Sequence, residues 1–128
     1  MQIKSLYLAV AALLAAGVFA SGVAVGAHHE SKIETPSTVI HVVTLDWKED
    51  ATPEQIKAAL DGVKNMHYPG VKRVWLRSIK SQTKQAAFVM EFESEKALAD
   101  YAGSDAQKEW YKLYLPIRKA SVTSDITN

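Results

Sequence analysis

His41 and Tyr101 are the two side chains in this sequence best suited to acid–base chemistry. His41 lies within VIHVVTLDW, residues 39–47, and the alternation of a strand places it on an otherwise apolar face. An imidazole exchanges protons near neutral pH, so His41 and Tyr101 could act as an acid–base pair around a carbonyl-containing ligand. The alternative is a neutral core histidine that is satisfied by one hydrogen-bond partner.

Two other groups of side chains each allow a structural and a functional interpretation. The first could form a ligand cage or simply belong to the core, and it consists of Tyr101, Phe88, Met90 and Trp110. The second shares one strand face and consists of Arg73, Trp75 and Arg77. It could form a cation–π stack or an anion site, or it could be a solvated edge.

The sequence contains no cysteine, which excludes disulfides, thiolate metal sites and cysteine nucleophiles. It also has no zinc-ligand spacing, phosphate-binding glycine loop or Gly-x-Ser-x-Gly turn, and we expect no cofactor. A conditional metal site exists near the N-terminus. Cleavage after Gly26 would create a terminus Ala27-His28-His29, whose amino group, two amide nitrogens and His29 imidazole suit square-planar Cu(II). The alternative is a solvated tail.

The N-terminal 27 residues have the organisation of a secretory signal peptide. A weakly positive start contains Lys4, residues 6–19 are apolar, and small residues follow up to Ala27. This order predicts a signal peptide at residues 1–27, cleaved after Gly26 or Ala27, and export to a periplasm or the extracellular space. The alternative is an uncleaved membrane anchor, because the uncharged run 5–27 is long enough to span a bilayer.

The charge balance argues against nucleic acid as a partner. The chain has 15 basic and 14 acidic side chains, and loss of residues 1–27 removes only Lys4, which leaves 14 of each. A chain without net charge or a basic stripe is not expected to bind nucleic acid. We predict a polar linker at residues 28–37 and one domain at residues 38–128.

Strand and helix patterns alternate along this domain. Alternation predicts strands at residues 39–47, 71–80, 85–93 and 118–126. Capping residues predict three helices, beginning after Thr52, Ser94 and Ser104 and ending near Met66, Gly103 and Pro116. The order β-α-β-β-α-β predicts an α+β, ferredoxin-like fold.

A tight hairpin between the second and third strands would pair their side chains across the sheet. Arg73 would lie opposite Glu91, and Trp75 would lie opposite Val89. This second face of the sheet has an apolar centre, and one layer of helices cannot cover both faces. We therefore expect a partner subunit to cover it.

Three segments in this order resemble the stress-responsive A/B barrel (Dabb) domain family: VIHVVTLDWKEDATPEQ, YPGV and FVMEFESEKALADY. The resemblance covers about residues 38–126. That family belongs to the dimeric α+β barrels, so the resemblance implies a homodimer whose two sheets face each other. The interface residues would then include Ile40, Val42, Trp75 and Val89.

The resemblance also implies a pocket between the sheet and the helices of each subunit. By comparison with a polyketide cyclase of the family, Tyr101 matches a catalytic tyrosine. The pocket would be lined by His41, Val43, Leu45, Val74, Phe88, Met90, Tyr101, Gln107 and Trp110. Gln107 stands where that cyclase has its histidine base, and an amide cannot take up a proton.

Two hypotheses follow from these observations. The missing base favours an exported, homodimeric protein that binds a small apolar or aromatic molecule in the pocket without catalysis. The alternative is a lyase- or cyclase-like enzyme that acts on a carbonyl-containing substrate through His41 and Tyr101. A membrane is a partner only if residues 1–27 remain uncleaved.

Overall fold

The structure, a computed structural model, describes residues 32–128, so the predicted signal peptide and the Cu(II) site at His29 lie outside the described residues. Residues Thr35–Asn128 form one compact unit. Its elements are β1 (Val39–Trp47), α1 (Pro53–Lys64), β2 (Val71–Trp75), β3 (Ala86–Phe92), α2 (Glu95–Tyr101), α3 (Asp105–Tyr114) and β4 (Arg118–Ile126). The strands form one antiparallel sheet in the order β2-β3-β1-β4, which confirms the predicted ferredoxin-like α+β fold. No helix in this part of the chain is long and apolar enough to cross a membrane.

The helices begin at the predicted caps. Thr52 and Gln55 form a complete capping box at the start of α1, with Pro53 in the first turn. The hydroxyls of Ser94 and Ser104 accept hydrogen bonds from the amides of Ala97 and Gln107 and so cap α2 and α3. These bonds satisfy amides that the helices leave unpaired, and they fix where each helix begins.

The strands give the sheet one covered face and one open face. On the covered face, β1 and β3 contribute the buried side chains Val39, Val43, Leu45, Phe88, Met90 and Phe92, which pack against side chains of the helices. On the open face, Val42 lies between Val89 of β3 and Ser124 of β4. Trp75 is 46% exposed there, and Val122 and Ile126 are each 57% exposed. The open face is therefore apolar and uncovered within one subunit.

The predicted second strand is too long. The alternation suggested a strand at residues 71–80, but β2 ends at Trp75, and residues 76–85 form an irregular connection. Asp46 of β1 accepts hydrogen bonds from the side chain of Lys84 and the amide of Gln85. These contacts hold the end of the connection against β1, and Ile79 is 95% exposed. Local alternation does not show where a partner strand stops pairing.

The predicted pairing of β2 with β3 is confirmed even though the hairpin is not tight. Arg73 pairs with Glu91, and Trp75 pairs with Val89. The Arg73 guanidinium donates two hydrogen bonds to the Glu91 carboxylate, one of them 3.0 Å long between Nη2 and Oε1. Its carbon Cζ also lies 5.9 Å from the centre of the Trp75 ring. The open face thus carries a buried carboxylate, 1% exposed, that is neutralised by a neighbouring cation.

Glu91 should make the fold sensitive to acid. Hydrogen bonds from Arg73 lower its pKa to about 2 from an ordinary 4.5. The stabilisation that ionised Glu91 gives to the folded state is therefore complete above pH 4.5 and is lost as the pH falls toward 2. We expect Glu91→Gln to make the decline in unfolding free energy over this range shallower, as measured by urea denaturation at fixed protein concentration. The exposed Glu93→Gln is the control, and equal declines in both variants would contradict this role.

Gly70 occupies a position that requires glycine. Its φ is +85°, and an added Cβ would lie 2.6 Å from the Cβ of Ala97 in α2. We expect Gly70→Ala to lower the unfolding free energy by about 2 kcal/mol or more, through backbone strain and overlap together. Gly103→Ala is a matched control, because φ is +78° there and nothing lies within 4 Å of the added Cβ. Gly103→Ala should lower the unfolding free energy by about 1 kcal/mol. Equal losses in the two variants would exclude a contribution from overlap with Ala97.

Candidate functional site

A partly enclosed cavity of about 80 Å³ lies between the covered face of the sheet and the helices. Val43, Phe88 and Met90 supply its apolar wall, with Trp110 of α3. Polar side chains supply the rest of the lining: His41, Tyr101, Gln107, Tyr111, Tyr114, Arg118, Ser121 and Thr123. The site therefore combines an apolar wall with converging polar groups, as small-molecule sites do.

The structure brings together most of the predicted pocket residues. All of them line the cavity except Leu45 and Val74. Leu45 is fully buried in the core, and Val74 of β2 packs against that core away from the cavity. The predicted interface residues lie on the open face of the sheet and not in the cavity: Ile40, Val42, Trp75 and Val89.

His41 has a partner that the sequence analysis missed. Its Nδ1 lies 2.6 Å from Oδ1 of Asp125, which is paired with His41 across the β1–β4 ladder. The His41 side chain is 16% exposed, and its ring also meets Phe92 edge-on at 6.1 Å between centroids. A carboxylate on Nδ1 holds the ring in one orientation and leaves Nε2 available to exchange a proton. A histidine–carboxylate pair therefore lies beside the cavity.

Two tyrosine hydroxyls in the cavity are buried without a hydrogen-bond partner. Tyr101 is 1% exposed and Tyr114 is 3% exposed, and neither Oη is paired. Burial raises the pKa of both phenols, while Gln107 beside Tyr101, and Ser121 and Arg118 beside Tyr114, partly oppose the shift. Both hydroxyls therefore stay protonated and can donate hydrogen bonds at neutral pH.

Gln107 has a structural role that explains an amide at this position. Its side-chain oxygen accepts a 2.7 Å hydrogen bond from the backbone amide of Gly103. Its backbone N–H donates a hydrogen bond to the hydroxyl of Ser104. The residue closes the turn between α2 and α3 while facing the cavity. A side-chain amide is suited to closing this turn, whereas an imidazole at the same position would be suited to catalysis.

Arg118 is one of five cavity-lining residues that the sequence analysis missed, the others being Tyr111, Tyr114, Ser121 and Thr123. Its Nη1 donates a 3.0 Å hydrogen bond to Ser121, and its Cζ lies 5.7 Å from the centre of the Tyr114 ring. Its Nε is buried and unpaired. Arg118 begins β4, and a shift of register after Asp46 places it opposite Trp47. The alternation of polar residues along β4 was a usable signal for a polar pocket wall.

No group of three or more His, Asp or Glu side chains between residues 32 and 128 is arranged to hold a metal ion.

Comparisons with known proteins identify the family and the fold. The family model described as "Stress responsive A/B Barrel Domain" (Dabb) matches residues 39–128. No curated protein matches the chain.

Solved structures share the fold at low sequence identity. A dimeric ferredoxin-like protein of unknown function from Thermobifida fusca is 15% identical with a TM-score of 0.62, over 79% of this chain and all of that one. A Dabb family protein from Mesorhizobium loti is 19% identical with a TM-score of 0.61, over 71% of this chain and 96% of that one. Hydroxynitrile lyase from Passiflora edulis is also 19% identical with a TM-score of 0.61, over 71% of this chain and 93% of that one.

The family model covers most of the chain, and solved structures that include a Dabb protein share its fold. The chain therefore belongs to the stress responsive A/B barrel domain family.

Proposed function

We propose that this chain is a homodimeric protein that binds one small molecule in the cavity between the sheet and helices of each subunit. The observation that carries the proposal is a concentration of unpaired polar atoms. Four buried side-chain polar atoms in the described residues lack a hydrogen-bond partner, and three of them belong to cavity residues: Tyr101, Tyr114 and Arg118. Buried polar atoms are normally paired, so a set of such atoms around one cavity supports a ligand whose own polar atoms pair with them.

The size and lining of the cavity favour a small polar ligand over the small apolar or aromatic molecule expected from the sequence. The cavity holds about 80 Å³, roughly half of the ~150 Å³ that accommodates benzene in a protein core. A ring the size of benzene would need Trp110 or Met90 to move. A ligand with an oxygen-bearing head and a short apolar portion matches both parts of the lining.

Self-association through the open face supports the dimeric part of the proposal. The uncovered side chains Trp75, Val122 and Ile126 share that face with Val42, and an exposed apolar patch of this kind marks an interaction surface. Structural neighbours are described as dimeric ferredoxin-like proteins. Pairing of two sheets would cover the face that the helices leave open.

Export belongs to the same proposal. An apolar segment followed by small residues at the N-terminus supports a secreted protein whose processed chain begins at Ala27 or His28. Sequencing the N-terminus of the protein recovered from its own source would test this, and a chain that begins at Met1 would contradict it.

Ligand binding can be tested with a panel of small acids, amides, alcohols and aldehydes in a thermal-shift assay. A ligand that binds only the folded chain raises the melting temperature by mass action. We expect stabilisation by at least one compound and its loss in Thr123→Trp, which plugs the cavity from an exposed edge-strand position. Thr83→Trp, in the exposed connection, is the matched control. Stabilisation that survives in Thr123→Trp, or none at all, would contradict the proposal.

The pairing of His41 with Asp125 favours a second candidate, a lyase- or isomerase-type enzyme in which His41 moves a proton. The structural neighbours include a lyase, the hydroxynitrile lyase from Passiflora edulis. Tyr101 would donate a hydrogen bond to the substrate carbonyl while Nε2 of His41 removes a proton beside it.

Deuterium exchange at the methyl group of pyruvate, the carbon next to its ketone, in D₂O, followed by NMR, tests this candidate. Catalysed exchange should fall about a hundredfold or more in His41→Ala and should persist in His67→Ala, which changes an exposed histidine. Equal exchange by the wild type, His41→Ala and Tyr101→Phe would exclude proton transfer by these residues.

A further inference from the structure

If the cavity binds a small molecule, as proposed above, the charge of Arg118 indicates the chemical class of that ligand. Within residues 32–128, no Asp or Glu forms an ion pair with Arg118. Arg73, by contrast, is neutralised by Glu91, and the carboxylate of Asp125, at the other end of β4, is engaged by His41. A partly buried guanidinium without a counter-charge is costly, so its presence in the cavity calls for an anion.

The guanidinium is already held in place for such an anion. Ser121 accepts the hydrogen bond from Nη1, and the ring of Tyr114 lies under Cζ. These contacts leave Nε buried and unpaired, and Arg118 is part of the cavity lining. A planar guanidinium fixed in this way presents its remaining donors to a carboxylate without further ordering.

The two buried phenols supply further donors in the same cavity. The hydroxyls of Tyr101 and Tyr114 are unpaired, and because both stay protonated at neutral pH they match the acceptor oxygens of a carboxylate. The apolar part of the lining on the sheet is formed by Val43, Phe88 and Met90. It suits a short carbon chain, which inorganic phosphate lacks.

We propose that the cavity binds a small organic monocarboxylate, with its carboxylate on Arg118, Tyr114 and Tyr101 and its carbon chain against Val43, Phe88 and Met90. By proportion to benzene in a ~150 Å³ cavity, the volume of about 80 Å³ holds about three non-hydrogen atoms, so a short acid such as propionate would fill it and extend to its open side.

Calorimetric titrations with sodium propionate, propionamide and inorganic phosphate, at constant ionic strength, test this inference. Propionate should bind at least about tenfold more tightly than either of the other probes, which is the effect of one charge-assisted hydrogen bond. Arg118→Gln should lower the affinity for propionate to that for propionamide. Tyr114→Phe should lower the affinity for propionate by a smaller factor. Arg77→Gln, outside the cavity, should leave both affinities unchanged. Circular dichroism confirms that each variant is folded.

The outcomes separate this inference from the proposed function. If propionamide binds as tightly as propionate and both are lost in Thr123→Trp, the cavity binds small molecules and the anion preference is wrong. If phosphate equals propionate, the organic-acid assignment is wrong. If no probe binds and the thermal-shift panel is also silent, both the inference and the proposed function fall.

Discussion

Replacing Val42 by glutamate is expected to convert the proposed dimer into a monomer. Val42 lies at the centre of the open face, between Val89 and Ser124 of the neighbouring strands. A two-fold interface would bury two introduced carboxylates, and a buried charge without a partner costs several kcal/mol. Because 1.4 kcal/mol corresponds to a tenfold change in affinity, the dimer dissociation constant should rise at least about a hundredfold.

Light scattering after size exclusion measures this effect directly. The wild type should have twice the mass of one chain and Val42→Glu the mass of one. The matched control is Thr83→Glu, which introduces the same charge in the exposed 76–85 connection and should remain dimeric. An unchanged dissociation constant for a folded Val42→Glu protein would place the interface on another surface.

Trp110→Ala is expected to produce the largest loss of stability of any single change considered. Trp110 is 7% exposed, and its Nε1 donates a 2.9 Å hydrogen bond to the carbonyl of Ala59 in α1. Its ring stacks on Tyr114 with 4.6 Å between centroids and meets Phe88 edge-on. Truncating a buried Trp typically costs about 3–5 kcal/mol, because the cavity left behind is only partly refilled.

The same substitution should also change the site, because Trp110 is both core and cavity wall. Loss of its ring joins the cavity to new empty space and removes the support of Tyr114. Trp110→Phe keeps a ring but loses the bond to Ala59, and it should cost about 1–2 kcal/mol. Urea denaturation at fixed protein concentration measures both variants. A loss below about 1 kcal/mol for Trp110→Ala would show that α3 is not anchored through this residue.

The local sequence patterns were sufficient to predict the fold. Alternation in β1 and β3 identified the buried face, and the caps at Thr52, Ser94 and Ser104 identified the helix starts. These signals act over a few residues, so they can be detected in a single sequence. The end of β2 at Trp75 could not be predicted in this way, because it depends on contacts of Lys84 and Gln85 with Asp46 on another strand.

The site was harder to predict because its polar half depends on strand register. His41 and Tyr101 were identified from chemistry and from the family resemblance, but Asp125 and Arg118 were not. Asp125 comes opposite His41 only in the β1–β4 pairing, and Arg118 opposite Trp47 only after the register shift. Pairing between strands so distant in sequence is not encoded in either strand alone.

The central claim is that the cavity between sheet and helices is a binding site, and NMR of the tryptophan indole N–H groups tests it most directly. Trp110 lines the cavity, whereas Trp75 lies on the open face and serves as an internal reference. Titration with the panel of small acids and amides should shift the Trp110 resonance in a saturable way and leave Trp75 unchanged. No shift at Trp110 with any compound at millimolar concentration, or equal shifts at both tryptophans, would contradict the account.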